Sequence, residues 1–72
     1  MTKSQLEKRY GIHIAYDPYF SPLKDKMIND YSVYTADGCK WGNFRTLKAI
    51  TEECKMYGRF FIEVKNRVKR EH

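Results

Sequence analysis

Phe61, Lys65, Arg67 and Lys69 share one parity of the run FFIEVKNRVK, with Glu63 as the exception. Read as a strand, that run presents a ring and three cations on one outward face. Rings stack on bases while Lys and Arg track phosphates, so such a face suits a nucleic acid. Tyr31 joins the candidate stacking residues, and Lys40 and Arg45 the phosphate contacts, from a hairpin and helix start earlier in the chain. The net charge of +5 agrees with an anionic partner. Two plainer readings stand beside this one. Alternation with charges is how any half-buried strand looks, and lysines on an edge strand block unwanted pairing without any ligand.

A second set of candidates surrounds Asp17-Pro18. Tyr16, Tyr19 and Phe20 are the kind of aromatic side chain that protein interfaces use as anchors; the competing role is closing one end of a small core. Other chemistries find less. His13, His72, Cys39 and Cys54 are zinc-ligand types, but no CxxC, CxxxxC or HxxxH spacing joins them, so no metal site is expected. Cys54 reads as a small core residue. Asp37, Glu52, Glu53 and His13 are the available acids and bases. A turn explains Asp37 and a solvated helix explains the two glutamates. No phosphate loop, HExxH or GxSxG is present, so a non-enzymatic protein without cofactors is expected.

The elements that must position these residues are few. The chain has 72 residues, which bounds it to a single domain over 1–72 with a small core. Ser4 and Glu7 fit a capping box for a short N-terminal helix ending at Gly11. Ile12 to Tyr16 alternates as a strand, stopped by Pro18. The stretch from Tyr19 to Asn29 reads as a loop with one helical turn opened by Pro22. Asp37-Gly38 is a two-residue hairpin turn. It sets Ala36 opposite Cys39, Tyr34 opposite Trp41 and Ser32 opposite Asn43, and that face is placed on the core. The competing assignment puts Val33 and Tyr31 inside. Asn43 then caps an amphipathic helix over about 44–57, with Leu47, Ile50, Cys54 and Tyr57 on one arc and Gly58 as its stop. The final strand follows, and residues 1–3 and 70–72 are expected to fray.

The expected fold class is therefore α+β: a three- to four-stranded, mostly antiparallel sheet against one main helix, with a possible short N-terminal helix. The stretch YSVYTADGCKWGNFRTLKAI resembles, at the level of layout, the three-strand-plus-helix domains of the AP2 and integrase arm-binding type. That resemblance implies a sheet that reads DNA; it transfers no residues, and the expected strand after Gly58 departs from its pattern. No apolar run reaches the length of a membrane span and the N-terminus lacks a signal-peptide core. Two cysteines in so short a chain point to free thiols in a reducing cytoplasm. The expected function is a small basic nucleic-acid-binding domain, through Tyr31, Lys40, Arg45, Phe61, Lys65, Arg67 and Lys69. The alternative is a small adaptor or inhibitor that binds a protein, of the phage or mobile-element accessory type, through Tyr16, Tyr19 and Phe20.

Overall fold

The chain opens as a helix because its first turn is capped. Gln5 donates its backbone N–H to Thr2 Oγ1 at 3.2 Å, and Thr2 donates its own N–H to Gln5 Oε1 at 2.8 Å. This reciprocal box starts α1 (Lys3–Tyr10) two residues before the expected Ser4–Glu7 pair. Gly11 ends the helix as expected, in the left-handed region at φ 68°. Glu7, released from capping, accepts the backbone N–H of Ile14 at 2.9 Å. The computed structural model describes residues 1–71. After α1 come β1 (His13–Tyr16), β2 (Tyr19–Ser21), β3 (Lys26–Ile28), β4 (Tyr31–Tyr34), β5 (Lys40–Phe44) and α2 (Leu47–Glu71). The fold class is α+β, with an antiparallel sheet as expected.

The sheet has the order β1-β4-β5. Ile14 pairs with Val33, and both are buried under the helices. Tyr31 and Val33 therefore face the core, and the face bearing Tyr34 is the open one. Ser32 opposite Asn43 and Val33 opposite Gly42 match the expected register, but Tyr34 meets Lys40 instead of Trp41. Cys39 O accepts the Thr35 N–H at 2.9 Å instead of lying opposite Ala36, so the hairpin closes through the three residues Ala36–Gly38 and not a two-residue turn. Trp41 is the extra residue of a bulge between Val33 and Tyr34. The bulge turns its indole onto α2, where it donates to Glu53 Oε2 at 2.8 Å and meets Phe61 edge-on at 4.8 Å between centroids. Asn43 is a strand residue whose amide bonds Ser32 and Asp30. Thr46 caps α2 in its place, accepting the Ala49 N–H at 3.0 Å.

The stretch Tyr19–Asn29 is a hairpin, not a loop with a helical turn. Tyr19 pairs with Ile28, Phe20 with Met27 and Ser21 with Lys26. The register is the one that β1 and β4 already share, and Asp17 donates to Asp30 O at 2.8 Å between the two blocks. One long ribbon thus runs from His13/Tyr34 out to Ser21/Lys26. It is interrupted only at Pro18, which has no donor to give. Its tip turns through Pro22, Leu23, Lys24 and Asp25, with Asp25 in the left-handed region at φ 51°, where aspartate is tolerated.

The largest correction concerns Gly58. It does not stop a helix; α2 runs through it for 25 residues to Glu71, and no final strand exists among the described residues. A Cβ at Gly58 would lie 2.6 Å from the Tyr10 ring, so glycine is there to let α1 and α2 approach. The buried residues Ile50, Cys54, Phe61 and Val64 keep one helical face against Leu6, Ile12, Ile14 and Val33. The ends are also helical: Lys3 belongs to α1, and Arg70 and Glu71 to α2, while His72 lies outside the described residues. No helix among the described residues is long and apolar enough to cross a membrane.

Candidate functional site

The residues expected to form one nucleic-acid face do not assemble into one. Phe61 is 1% exposed, a central core residue. Tyr31 is half-buried against the same core, its ring 4.9 Å from that of Tyr16. Lys65 lays its stem across Gly11 and donates to Lys8 O at 3.2 Å. Arg67 and Lys69 are exposed near the C-terminal end of α2, on a helix and not on a strand. Lys40 lies on the open sheet face with His13, Ser32, Tyr34 and Asn43, where it is the only Lys or Arg of the three strands. Arg45 is exposed beside the outer hairpin, in a shallow groove with Lys24, Lys26 and Asn29.

The second set is brought together. Tyr16, Tyr19 and Phe20 are 51%, 45% and 54% exposed and lie along the ribbon where it leaves the sheet. Beyond Phe44, which pairs with Tyr31, β5 gives no further cover, and β2 and β3 pack chiefly on each other. The outer ribbon is a two-stranded arm. Phe20 and its partner Met27 share one face, and Leu23 at the tip is 99% exposed. Tyr16 Oη donates to Asn29 Oδ1 at 2.8 Å and ties the arm's two strands at its root. A lone hairpin is marginal in water; this one persists because it continues the register of β1 and β4. Leu23 and Met27 had no place among the expected contacts. Their signal was two short apolar runs, Tyr19-Phe20 and Met27-Ile28, flanking a Pro-x-x-Asp turn.

Charge is divided between the layers. The helices hold ten of the Lys and Arg residues and five of the carboxylates, so they account for the whole +5. Residues 11–46, which make the sheet and the arm, carry four of each and are neutral.

The two thiols differ in kind. Cys54 is buried, and burial first, then the Glu53 carboxylate, pushes its thiol up to about 11. Cys39 is exposed in the Asp37-Gly38 turn, where its Sγ–H donates to Asp37 Oδ2 at 3.5 Å. That hydrogen bond, and then the carboxylate's charge, raise the Cys39 thiol. Asp37 is held low chiefly by the Thr35 hydroxyl, which donates to it, and by the Cys39 N–H. Iodoacetamide on the folded protein at pH 8 should therefore alkylate Cys39 and spare Cys54. Asp37→Asn keeps a turn-forming Asn-Gly but removes the charge, so the thiol's pKa falls, more thiolate is present and Cys39 labelling accelerates. Mass spectrometry of the time course reads both effects, and equal rates at the two cysteines would contradict the burial of Cys54.

Among the described residues, no three His, Cys, Asp or Glu side chains gather in a way that would hold a metal ion. No family model matches the chain, and neither a curated protein nor a solved structure matches it.

Proposed function

We propose that this chain is a small non-enzymatic binding module, an adaptor or inhibitor, that docks on a protein partner through the projecting arm. The observation that carries the reading is the arm itself: a two-stranded ribbon, with Lys24, Asp25 and Lys26 its only charges, that leaves the sheet and exposes Tyr19, Phe20, Leu23 and Met27 to water. Burying a large apolar side chain contributes about 1.5–3 kcal/mol relative to leaving it exposed. Four such side chains at one end of a small domain form an anchor that salt hardly weakens. The arm also offers unpaired strand edges, to which a partner strand can add. Nucleic-acid binding through the sheet has less behind it, because Phe61 is in the core and Lys40 is the only Lys or Arg of β1, β4 and β5.

A photoreactive benzoylphenylalanine placed at Phe20, in cells that make the protein, should give one discrete protein adduct. Placed at Lys40 on the open sheet face it should not. The adduct should survive extraction in high salt and disappear in Tyr19→Ala/Met27→Ala. The same faint ladder from both positions, or no protein adduct at Phe20, would sink the proposal.

A further inference from the structure

The structure assigns a second surface: we infer that the outward face of the helical layer binds the phosphate backbone of a nucleic acid. This surface is separate from the arm, and its residues are mostly not those the alternation of FFIEVKNRVK singled out. Lys48, Lys55, Arg59 and Arg70 fall on the side of α2 turned away from Ile50, Cys54 and Phe61 at 100° per residue. Tyr10 packs against Gly58, so Arg9 of α1 comes alongside Lys55 and Arg59, in a shallow groove that also holds Glu63 and Ile62. The Arg9 guanidinium sits 5.6 Å from the Tyr10 ring centroid.

Few of these cations are paired with an acid. Among the described residues the one ion pair within the helices is Lys55–Glu52 at 3.9 Å, with both side chains well exposed. Helix dipoles account for some of the charge, since Lys8 and Arg9 lie in the last turn of α1 and Lys69 and Arg70 in the last turn of α2. They do not account for Lys48, which lies in the first turn of α2, where a cation is disfavoured and no acid is present. Nor do they account for Lys55 or Arg59 in its middle.

The shape of the charge identifies the ligand class. At 1.5 Å per residue, α2 is a rod of roughly 37 Å. Cations spread along such a rod match an extended, regular polyanion rather than a single small anion. Duplex DNA carries about one negative charge per 1.7 Å of axis. A membrane surface fits less well, because the outward face holds Glu52, Glu63 and Asn66 among its cations. Of the exposed apolar side chains of α2 only Met56 lies on it, Phe60 and Ile62 standing on its flanks and Tyr57 toward the core, so no apolar stripe runs along it to insert. With the arm on a protein and the helical layer on a nucleic acid, one small chain would join the two.

Fluorescence anisotropy with labelled 20-base-pair DNA and RNA duplexes, on the full chain at about 50 and 200 mM salt, tests this. About four phosphate contacts predict a loss of affinity on the order of a hundredfold between the two salts. Lys55→Glu/Arg59→Glu should weaken binding at least tenfold at the lower salt with an unchanged thermal midpoint. Phe20→Ala/Met27→Ala should leave it unaltered, which separates failure here from failure of the arm. Absence of binding at the lower salt would overturn the inference. So would binding lost in Lys40→Glu/Arg45→Glu but not in the helical variant, or tighter capture by anionic phosphatidylserine vesicles than by either duplex.

Discussion

Phe61→Ala is expected to remove about 3–5 kcal/mol, the usual range for deleting a buried phenylalanine. A 72-residue domain holds roughly 4–11 kcal/mol in total at ordinary stability per residue. The substitution thus removes much or all of the margin. Phe61 is among the largest fully buried side chains and lies where α2, β5 and the core meet, with Trp41 edge-on against it. The cavity cannot close cheaply, because closing it would pull Trp41 from its bond to Glu53. Circular dichroism should show the thermal midpoint falling by well over 10 °C, or no cooperative transition at all. On an exposed strand the same change would cost under about 0.5 kcal/mol. An unmoved midpoint would put Phe61 back on the surface and undo the assignment of α2.

That residue also shows why the sequence misleads at this point. FFIEVKNRVK alternates, and Phe60, Ile62 and Val64 share a parity, so a strand is a fair local reading. Yet Ile50, Cys54, Tyr57, Phe61, Val64 and Val68 are spaced four, three, four, three and four apart, which is helical throughout. Gly58 broke the pattern only because a glycine after an amphipathic run usually ends it. Its actual reason is tertiary: the Tyr10 ring occupies the place of a Cβ, and that ring belongs to an element 48 residues earlier in the chain. Nothing local to Gly58 carries this information. The bulge at Trp41 takes up the one-residue shift that the Ala36–Gly38 loop introduces, and it seats the indole on Glu53 and Phe61. Features decided by short-range chemistry were legible. Gly11 caps α1, His13 to Tyr16 is extended, and Ile50 and Cys54 face inward. The chain reverses at Asp37 and Gly38, though through the three-residue loop Ala36–Gly38 rather than a two-residue turn. The exposed aromatics at Tyr16, Tyr19 and Phe20 could be picked out, but not the arm that projects them. The Pro22–Asp25 turn depends on a left-handed aspartate, which is less conspicuous than a glycine.

Removing the arm is the change that separates fold from function most sharply. Asp17 and Asp30 already face each other across the ribbon, so residues 18–29 can be replaced by Asn-Gly, which closes a two-residue hairpin in the existing register. The variant loses Tyr19, Phe20, Leu23 and Met27, which are exposed, and Ile28, which is buried. Its stability should change by no more than about 1.5–3 kcal/mol, the value of that one buried side chain. Its capture of the protein partner cross-linked at Phe20 should vanish, when followed through a photoreactive residue at Tyr16, which the excision keeps. Binding to duplex through the helices should persist. A folded variant that still captures the partner would show that the contact lies elsewhere. A variant that fails to fold would give the ribbon a structural reason to exist, and the exposure of its aromatics would then need no partner to explain it. Only a folded, partner-blind protein agrees with an arm whose length serves recognition, because the sheet and the two helices already enclose Leu6, Ile14, Val33, Ile50 and Phe61 without it.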